Sequence, residues 1–151
     1  MEFKLAGNKL RFNVRPYCYE FLKNMSELYN IYIFTSAKAD YAESIVSYLN
    51  KRENKTISGV LNRRNCFKTN NGSYFKDLRI IKNRPLNNII MVDNRIHSFG
   101  LQLDNGIPIL GFKNDKKDRE LFGIEPLLKK AATVDDVRSL FGLSISLKTN
   151  L

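Results

Sequence analysis

The sequence is poor in long apolar runs, in cysteine and in biased or repetitive stretches. No apolar run exceeds about six residues, which is far too short for a membrane span. Residues 1–10 contain neither an apolar leader core nor a small-residue cleavage site, so no secretory signal is expected. Only two of the 151 residues are cysteines, Cys18 and Cys66. They fall in different predicted elements and lack metal-ligand spacing, so two reduced thiols in a cytoplasmic, nuclear or organellar interior are expected. There is no repeat, linker or low-complexity segment. No recognised nucleic-acid module is present either, so nucleic acid is not the expected partner. A chain of 151 residues can bury a core as one domain without staples.

Positive charge, by contrast, is abundant: the formal net charge is +10. Lys and Arg are spread along the whole chain, with a denser stretch at Lys51, Arg52, Lys55, Arg63, Arg64 and Lys68. One reading is a solvated surface that maintains solubility; the other is an electropositive rim around a phosphate-bearing substrate.

Hydrophobic periodicity organises the chain. Phe3 and Leu5, then Leu10, Phe12 and Val14, alternate with polar residues about Gly7-Asn8, which predicts a β-hairpin over 1–14. Pro16 suits a helix start, and Phe21, Leu22, Met25, Leu28 and Tyr29 follow at helical spacing. Ile31 to Thr35 reads as a buried strand and 39–49 as a second helix. Residues 59–75 read as short strands and loops with a tight turn at Asn70-Asn71-Gly72. Asn88 to Asp93 and Ile107 to Leu110 read as further buried strands. The pattern from Lys116 to Phe141 is helical, with Asp135 suited to an N-cap or first-turn position in its last segment. Residues 143–151 form a tail. Strands alternating with helices predict an α/β domain with a parallel sheet, in which ligands bind beyond the carboxyl ends of the strands.

Two polar pairs sit at such strand ends. Asp93-Asn94 offers hard oxygen donors suited to Mg²⁺, or an ordinary Asx turn. Thr35-Ser36 offers hydroxyls beside a helix start, as an anion site or as a simple N-cap. Lys76 follows a short apolar segment and is either solvated or a phosphate partner. Together these residues describe an oxygen-ligated metal, a hydroxyl and a lysine around one phosphate.

The same residues carry a family resemblance. Arg15-Pro16, Ile33-Phe34-Thr35-Ser36, Asp40-Tyr41-Ala42, Arg63 with Cys66, Tyr74-Phe75-Lys76-Asp77-Leu78, and Ile90-Met91-Val92-Asp93-Asn94 occur in order. Leu101-Gln102, Asn105-Gly106-Ile107-Pro108 and Asp135 to Leu140 follow. Over roughly 15–142 the chain resembles the small C-terminal-domain, Dullard-type and nuclear-LIM-interactor-interacting-factor phosphatases of the haloacid dehalogenase superfamily. The resemblance implies a three-layer, Rossmann-like α/β fold with a small β insertion between about Ile57 and Phe75. It implies Mg²⁺-dependent hydrolysis of phosphoserine or phosphothreonine in flexible protein tails, such as that of RNA polymerase II. Thr35 or Ser36 would bind the transferring phosphoryl group, Lys76 would neutralise it, Arg63 would contact substrate phosphate, and Asp93 and Asn94 would hold the metal. Arg95-Ile96 stands where the family often has Ser-Pro, and Thr35-Ser36-Ala37 where it has Thr-Ala-Ser.

The larger departure is the family's opening strand, which ends in Asp-x-Asp-x-Thr. Its first Asp is the nucleophile and its second the general acid and base. No Asp-x-Asp occurs in this sequence. The hairpin begins at Met1, so that strand is expected upstream, at the centre of the sheet. Three explanations follow: a shortened reading frame, a degenerate pseudophosphatase that binds without cleaving, or a sheet completed by a partner chain. The chain alone is expected to be inactive. The rival reading is a non-catalytic binding module resembling the mitochondrial inner-membrane import receptor, in which the basic stretch 51–68 would hold acidic or presequence-bearing partners.

Overall fold

The computed structural model describes residues 2–5, 8–52 and 55–141, with residues 2–5 and 8–10 described by their backbone alone. The chain groups into two compact units, residues 1–64 with 112–128, and residues 65–111 with 129–151.

The first unit opens with an antiparallel hairpin of β1 (Glu2–Leu5) and β2 (Asn8–Arg11), in which Leu5 faces Asn8. The expected turn falls partly at Gly7, outside the described residues. The second strand stops at Arg11 instead of running to Val14. Phe12 leaves the ladder to set its ring edge-on against Tyr48, 5.2 Å between centroids, so burial of the ring wins over continued pairing.

Helix α1 (Cys18–Ser26) starts two residues after Pro16 because Tyr17 takes a left-handed conformation, φ 66° and ψ 6°. Its inner face buries Leu22 and Met25. Strand β3 (Ile31–Phe34) follows, then α2 (Ala39–Arg52), which is three residues longer than its apolar stripe predicts. Strand β4 (Ile57–Leu61) runs parallel to β3.

That pairing corrects the expected insertion, because Ile57–Leu61 belongs to the parallel pair and not to a β-rich insert. The Asn50 amide fixes it there, accepting from Ile57 N–H and donating to Ile57 C=O, both at 2.9 Å. Leu22, Leu49 and Ile57 form a buried cluster flanked by Ile31, Ile33, Ile45 and Val46. Burying such side chains stabilises by roughly 1.5–3 kcal/mol each.

Most of α3 (Glu120–Ala131) also belongs to this unit. It starts later than Lys116 because the Asp118 carboxylate accepts from Glu120 N–H at 3.1 Å and caps it. Around Thr133 the helix is interrupted. Both the N–H and the hydroxyl of Thr133 turn back to Lys130 C=O, at 3.0 and 2.8 Å. Residues 138–141 are helical again. The cap of that segment is Asp136, not the expected Asp135; its carboxylate accepts from Arg138 N–H at 3.0 Å.

The second unit holds a small antiparallel hairpin, β5 (Phe67–Lys68) and β6 (Tyr74–Phe75), closed by the expected turn. Gly72 supplies φ 84° there, a region that a side chain disfavours. A second parallel pair is formed by β7 (Met91–Asp93) and β8 (Gly106–Pro108). Strand β7 is shorter than its apolar run because a 3₁₀ turn, Leu86–Asn88, precedes it, and β8 stops at Pro108 and not at Leu110. Asn105 is buried and ties that turn to the strand, donating to Leu86 C=O at 2.5 Å and Ile89 C=O at 2.7 Å. Gly106 has no room for a Cβ, which would overlap the fully buried Phe99 ring. Both parallel pairs are consistent with the predicted α/β class. Among the described residues no helix is long and apolar enough to cross a membrane, and Cys18 and Cys66 are not joined in a disulfide.

Candidate active site

The predicted site residues divide between the units. In the first, Thr35 follows β3 directly and pairs with the end of β4 through Thr35 N–H to Leu61 C=O, 2.9 Å. The Thr35 hydroxyl oxygen accepts from Ala37 N–H at 3.1 Å. Arg63, in the 3₁₀ turn after β4, donates its backbone N–H to Ala37 C=O at 2.9 Å and its Nε–H to Ser36 C=O at 2.7 Å. The loop after β3 and the turn after β4 are thereby stitched together at the carboxyl ends of two parallel strands. Thr35, Ser36 and Arg63, read from separate parts of the sequence, come together here. Part of what the sequence suggested as phosphate chemistry is local structure: the Thr35 oxygen serves a backbone N–H, and Arg63 braces a loop.

In the second unit Lys76 and Asp93 meet. The Lys76 ammonium pairs with Asp93 Oδ2, and the two side chains are only 14% and 8% exposed. The other oxygen, Oδ1, accepts from Arg95 N–H at 2.8 Å. Lys76 is placed by its own backbone, which donates to Ser98 C=O at 2.8 Å. The apolar run that makes β7 delivers Asp93 to its pairing, and Tyr74-Phe75 in β6 delivers Lys76. Asn94 follows Asp93 and is exposed, with its amide beside Gly111. A pair this buried loses solvation that its attraction must repay, so removing one partner costs more than the pair itself contributes.

Gln102 is a positioning residue that residue chemistry alone does not single out. Its buried side chain accepts from Leu78 N–H at 2.9 Å and donates to Asp77 Oδ1 at 3.0 Å. Asp77 also binds the Arg79 guanidinium through both oxygens. These bonds, Arg79's first, hold the Asp77 carboxyl at about 2, well below its ordinary range. The segment just after Lys76 is thus anchored by a carboxylate that stays ionised and an amide that reads both a backbone donor and that carboxylate. A glutamine between two leucines carries no local signal for such a role.

The donors fit Mg²⁺ in kind but not in number. Asp93 is one carboxylate whose two oxygens already face Lys76 and Arg95. Among the described residues no three His, Cys, Asp or Glu side chains gather as metal ligands. Mg²⁺ asks for six oxygens, several of them from water and phosphate, around about one or two carboxylates. Asp93 with Asn94 is at most a fragment of such a site, and no step is derived through a metal.

Comparison with known proteins converges on one family. NLI interacting factor-like phosphatase matches residues 1–138. The chain is 38% identical over 128 residues to CTD small phosphatase-like protein 3 of Caenorhabditis elegans, covering 84% of this chain and 44% of that protein. It is 32% identical over 126 residues to the human carboxy-terminal domain RNA polymerase II polypeptide A small phosphatase 1, covering 83% and 47% respectively. It is 29% identical over 154 residues to nuclear envelope morphology protein 1 of Saccharomyces cerevisiae, covering 95% and 34%. The chain therefore spans less than half the length of each of these relatives. By the extent of the match and by the ordered strand-end motifs, this chain belongs to the NLI interacting factor-like phosphatase family.

Proposed function

We propose that this chain carries the phosphate-recognising side of a protein serine/threonine phosphatase domain and, by itself, binds phosphorylated tails without hydrolysing them. The observation that carries the reading is the shielded Lys76–Asp93 pair at the end of β7, in a chain of this family. A lysine held beside a strand end is a fixed positive charge for a phosphoryl group, and preorganised charge of this kind stabilises phosphate oxygens most where water is scarce. In the first unit, Thr35, Ser36 and Arg63 would offer hydroxyl and guanidinium donors to phosphate oxygens.

Turnover requires one ionised carboxylate to attack phosphorus and a second to move the proton. The 151 residues contain no Asp-x-Asp, and Asp93 is committed to Lys76 and Arg95. When bound, Mg²⁺ would neutralise phosphoryl charge. Asp93 and Asn94 are the residues that would meet it, and one carboxylate makes that binding weak. The proposed ligands are phosphoserine or phosphothreonine segments of flexible regulatory tails, in a nuclear or cytoplasmic setting; the human relative is named for the carboxy-terminal domain of RNA polymerase II.

A pull-down with immobilised phosphoserine and unphosphorylated peptides tests this. Phosphate-dependent capture that is lost in Lys76→Ala and Asp93→Ala supports the reading; equal capture of both peptides overturns it.

A further inference from the structure

The first unit contains a second feature, built from residues that the phosphatase reading leaves unused. An open cavity of about 520 Å³ is lined by Tyr17, Lys116, Lys117, Asp118, Arg119 and Phe122. Its walls are fixed. Tyr17, held at φ 66°, donates its hydroxyl to buried Glu125 at 2.8 Å. The Asn24 amide bonds that same hydroxyl and Glu125 at 3.2 and 3.0 Å. The Tyr17 ring stands edge-on to Phe122, centroids 5.4 Å apart at 75°. A left-handed tyrosine is strained and persists where its surroundings over-determine it; the Glu125–Asn24 bonds do so here.

The charge in the cavity is one-sided. Asp118 is its one carboxylate, and Arg15 grips both oxygens at 2.7 Å, while Oδ1 also caps α3. Those bonds, the Arg15 guanidinium first, hold the Asp118 carboxyl below its ordinary range, and its charge is spent inside the protein. Lys116, Lys117 and Arg119 are exposed. Among the described residues neither lysine ammonium is held by a carboxylate, although Asp115 and Glu120 lie nearby in sequence. Arg119 sits over the Phe122 ring at 4.7 Å, and Phe122 is itself 49% exposed.

We propose that this cavity is a docking site for an acidic peptide segment that seats one aromatic side chain between flanking carboxylates. The apolar walls of Tyr17 and Phe122 take the ring, and Lys116, Lys117 and Arg119 take the carboxylates. Aromatic residues with arginine in a walled pocket are the composition that concentrates binding energy, and uncompensated lysines at its rim steer an acidic partner. A nucleic-acid strand fits less well. The cavity offers one aromatic-lined pocket and not a row of ring faces on which successive bases could stack. The site does not depend on the phosphatase reading.

The test is fluorescence anisotropy on the full chain with a labelled peptide of about ten residues, Asp and Glu around one central Phe. The Lys116→Glu/Lys117→Glu pair is expected to weaken binding by about tenfold or more, and Lys116→Gln/Lys117→Gln by less. Phe122→Ser is expected to weaken the Phe-centred peptide towards the level of an Ala-centred one. The charge-matched pair Lys23→Glu/Lys82→Glu, placed elsewhere, is expected to change affinity by less than about threefold. Circular dichroism melts confirm that each variant is folded; if the Glu pair is not, the Gln pair decides. Equal weakening by the control pair, no weakening by the cavity variants, or displacement of the peptide by oligothymidylate at lower concentration than by unlabelled acidic peptide would overturn the proposal.

Discussion

The two groups of site residues are held in opposite ways. In the first unit Thr35, Ser36 and Arg63 are fixed mainly through backbone groups: a hydroxyl caps one N–H, and a guanidinium braces one carbonyl. In the second, Lys76 and Asp93 are fixed by each other, as charges withdrawn from water. A backbone-stitched loop tolerates loss of a side chain, because water can replace each bond at an exposed edge. A buried ion pair does not, because removing one partner strands the other. Stability and phosphate binding should therefore respond differently in the two units.

The largest effect is expected at the ion pair. Lys76→Ala should lower unfolding free energy by about 3 kcal/mol in urea denaturation, since Asp93 is left uncompensated. The double variant Lys76→Met/Asp93→Leu should recover most of that loss while abolishing phosphopeptide capture. A double variant as unstable as the single one would mean that the pair is not what strands the charge. Next in size is Asn105→Ala, expected to cost about 1–3 kcal/mol because it leaves the Leu86 and Ile89 carbonyls without their donor. Thr35→Val, by contrast, should cost no more than about 1 kcal/mol, and Arg63→Ala less than about 0.5 kcal/mol, as for an exposed position. If either matches Lys76→Ala, the contrast between the units fails.

The smallest effect is a pH dependence in the second unit. The Asp77 carboxyl is depressed to about 2 when folded, from an ordinary 3.8. A depressed carboxylate stabilises the fold above its unfolded value, and that contribution disappears as pH falls from about 4 towards 2. Asp77→Asn should flatten the stability profile over that window alone, with Arg79→Ala giving part of the same change. A profile unchanged in both variants would remove Asp77 as an acid-labile anchor of the segment after Lys76.

These contrasts mark how far the sequence could be read. The strands ending at Phe34 and Asp93 were legible because short apolar runs stop at polar pairs, and the turn at Gly72 because Asn-Asn-Gly has one inexpensive backbone solution. Lys76 with Asp93 was legible only as a pair of motifs; periodicity cannot show that two charges will share one bond. Strand β4 was hidden because Ile57–Leu61 is short and follows polar residues, and only its Asn50 bracket and parallel partner fix it. The long C-terminal helical pattern concealed an interruption, because apolar spacing persists across Thr133 while hydrogen bonds do not. Tyr17 gave no signal at all, since its left-handed backbone is imposed by a bond to Glu125, more than a hundred residues away.

The central claim, phosphate recognition without turnover, is tested most directly by phosphorus NMR of a phosphoserine peptide mixed with the purified chain and Mg²⁺. The account predicts a broadened or shifted phosphoserine resonance that moves back towards its free position as peptide is raised in excess over protein, and no inorganic phosphate signal over hours. A growing inorganic phosphate peak, or a phosphoserine resonance that the protein leaves untouched, would contradict it.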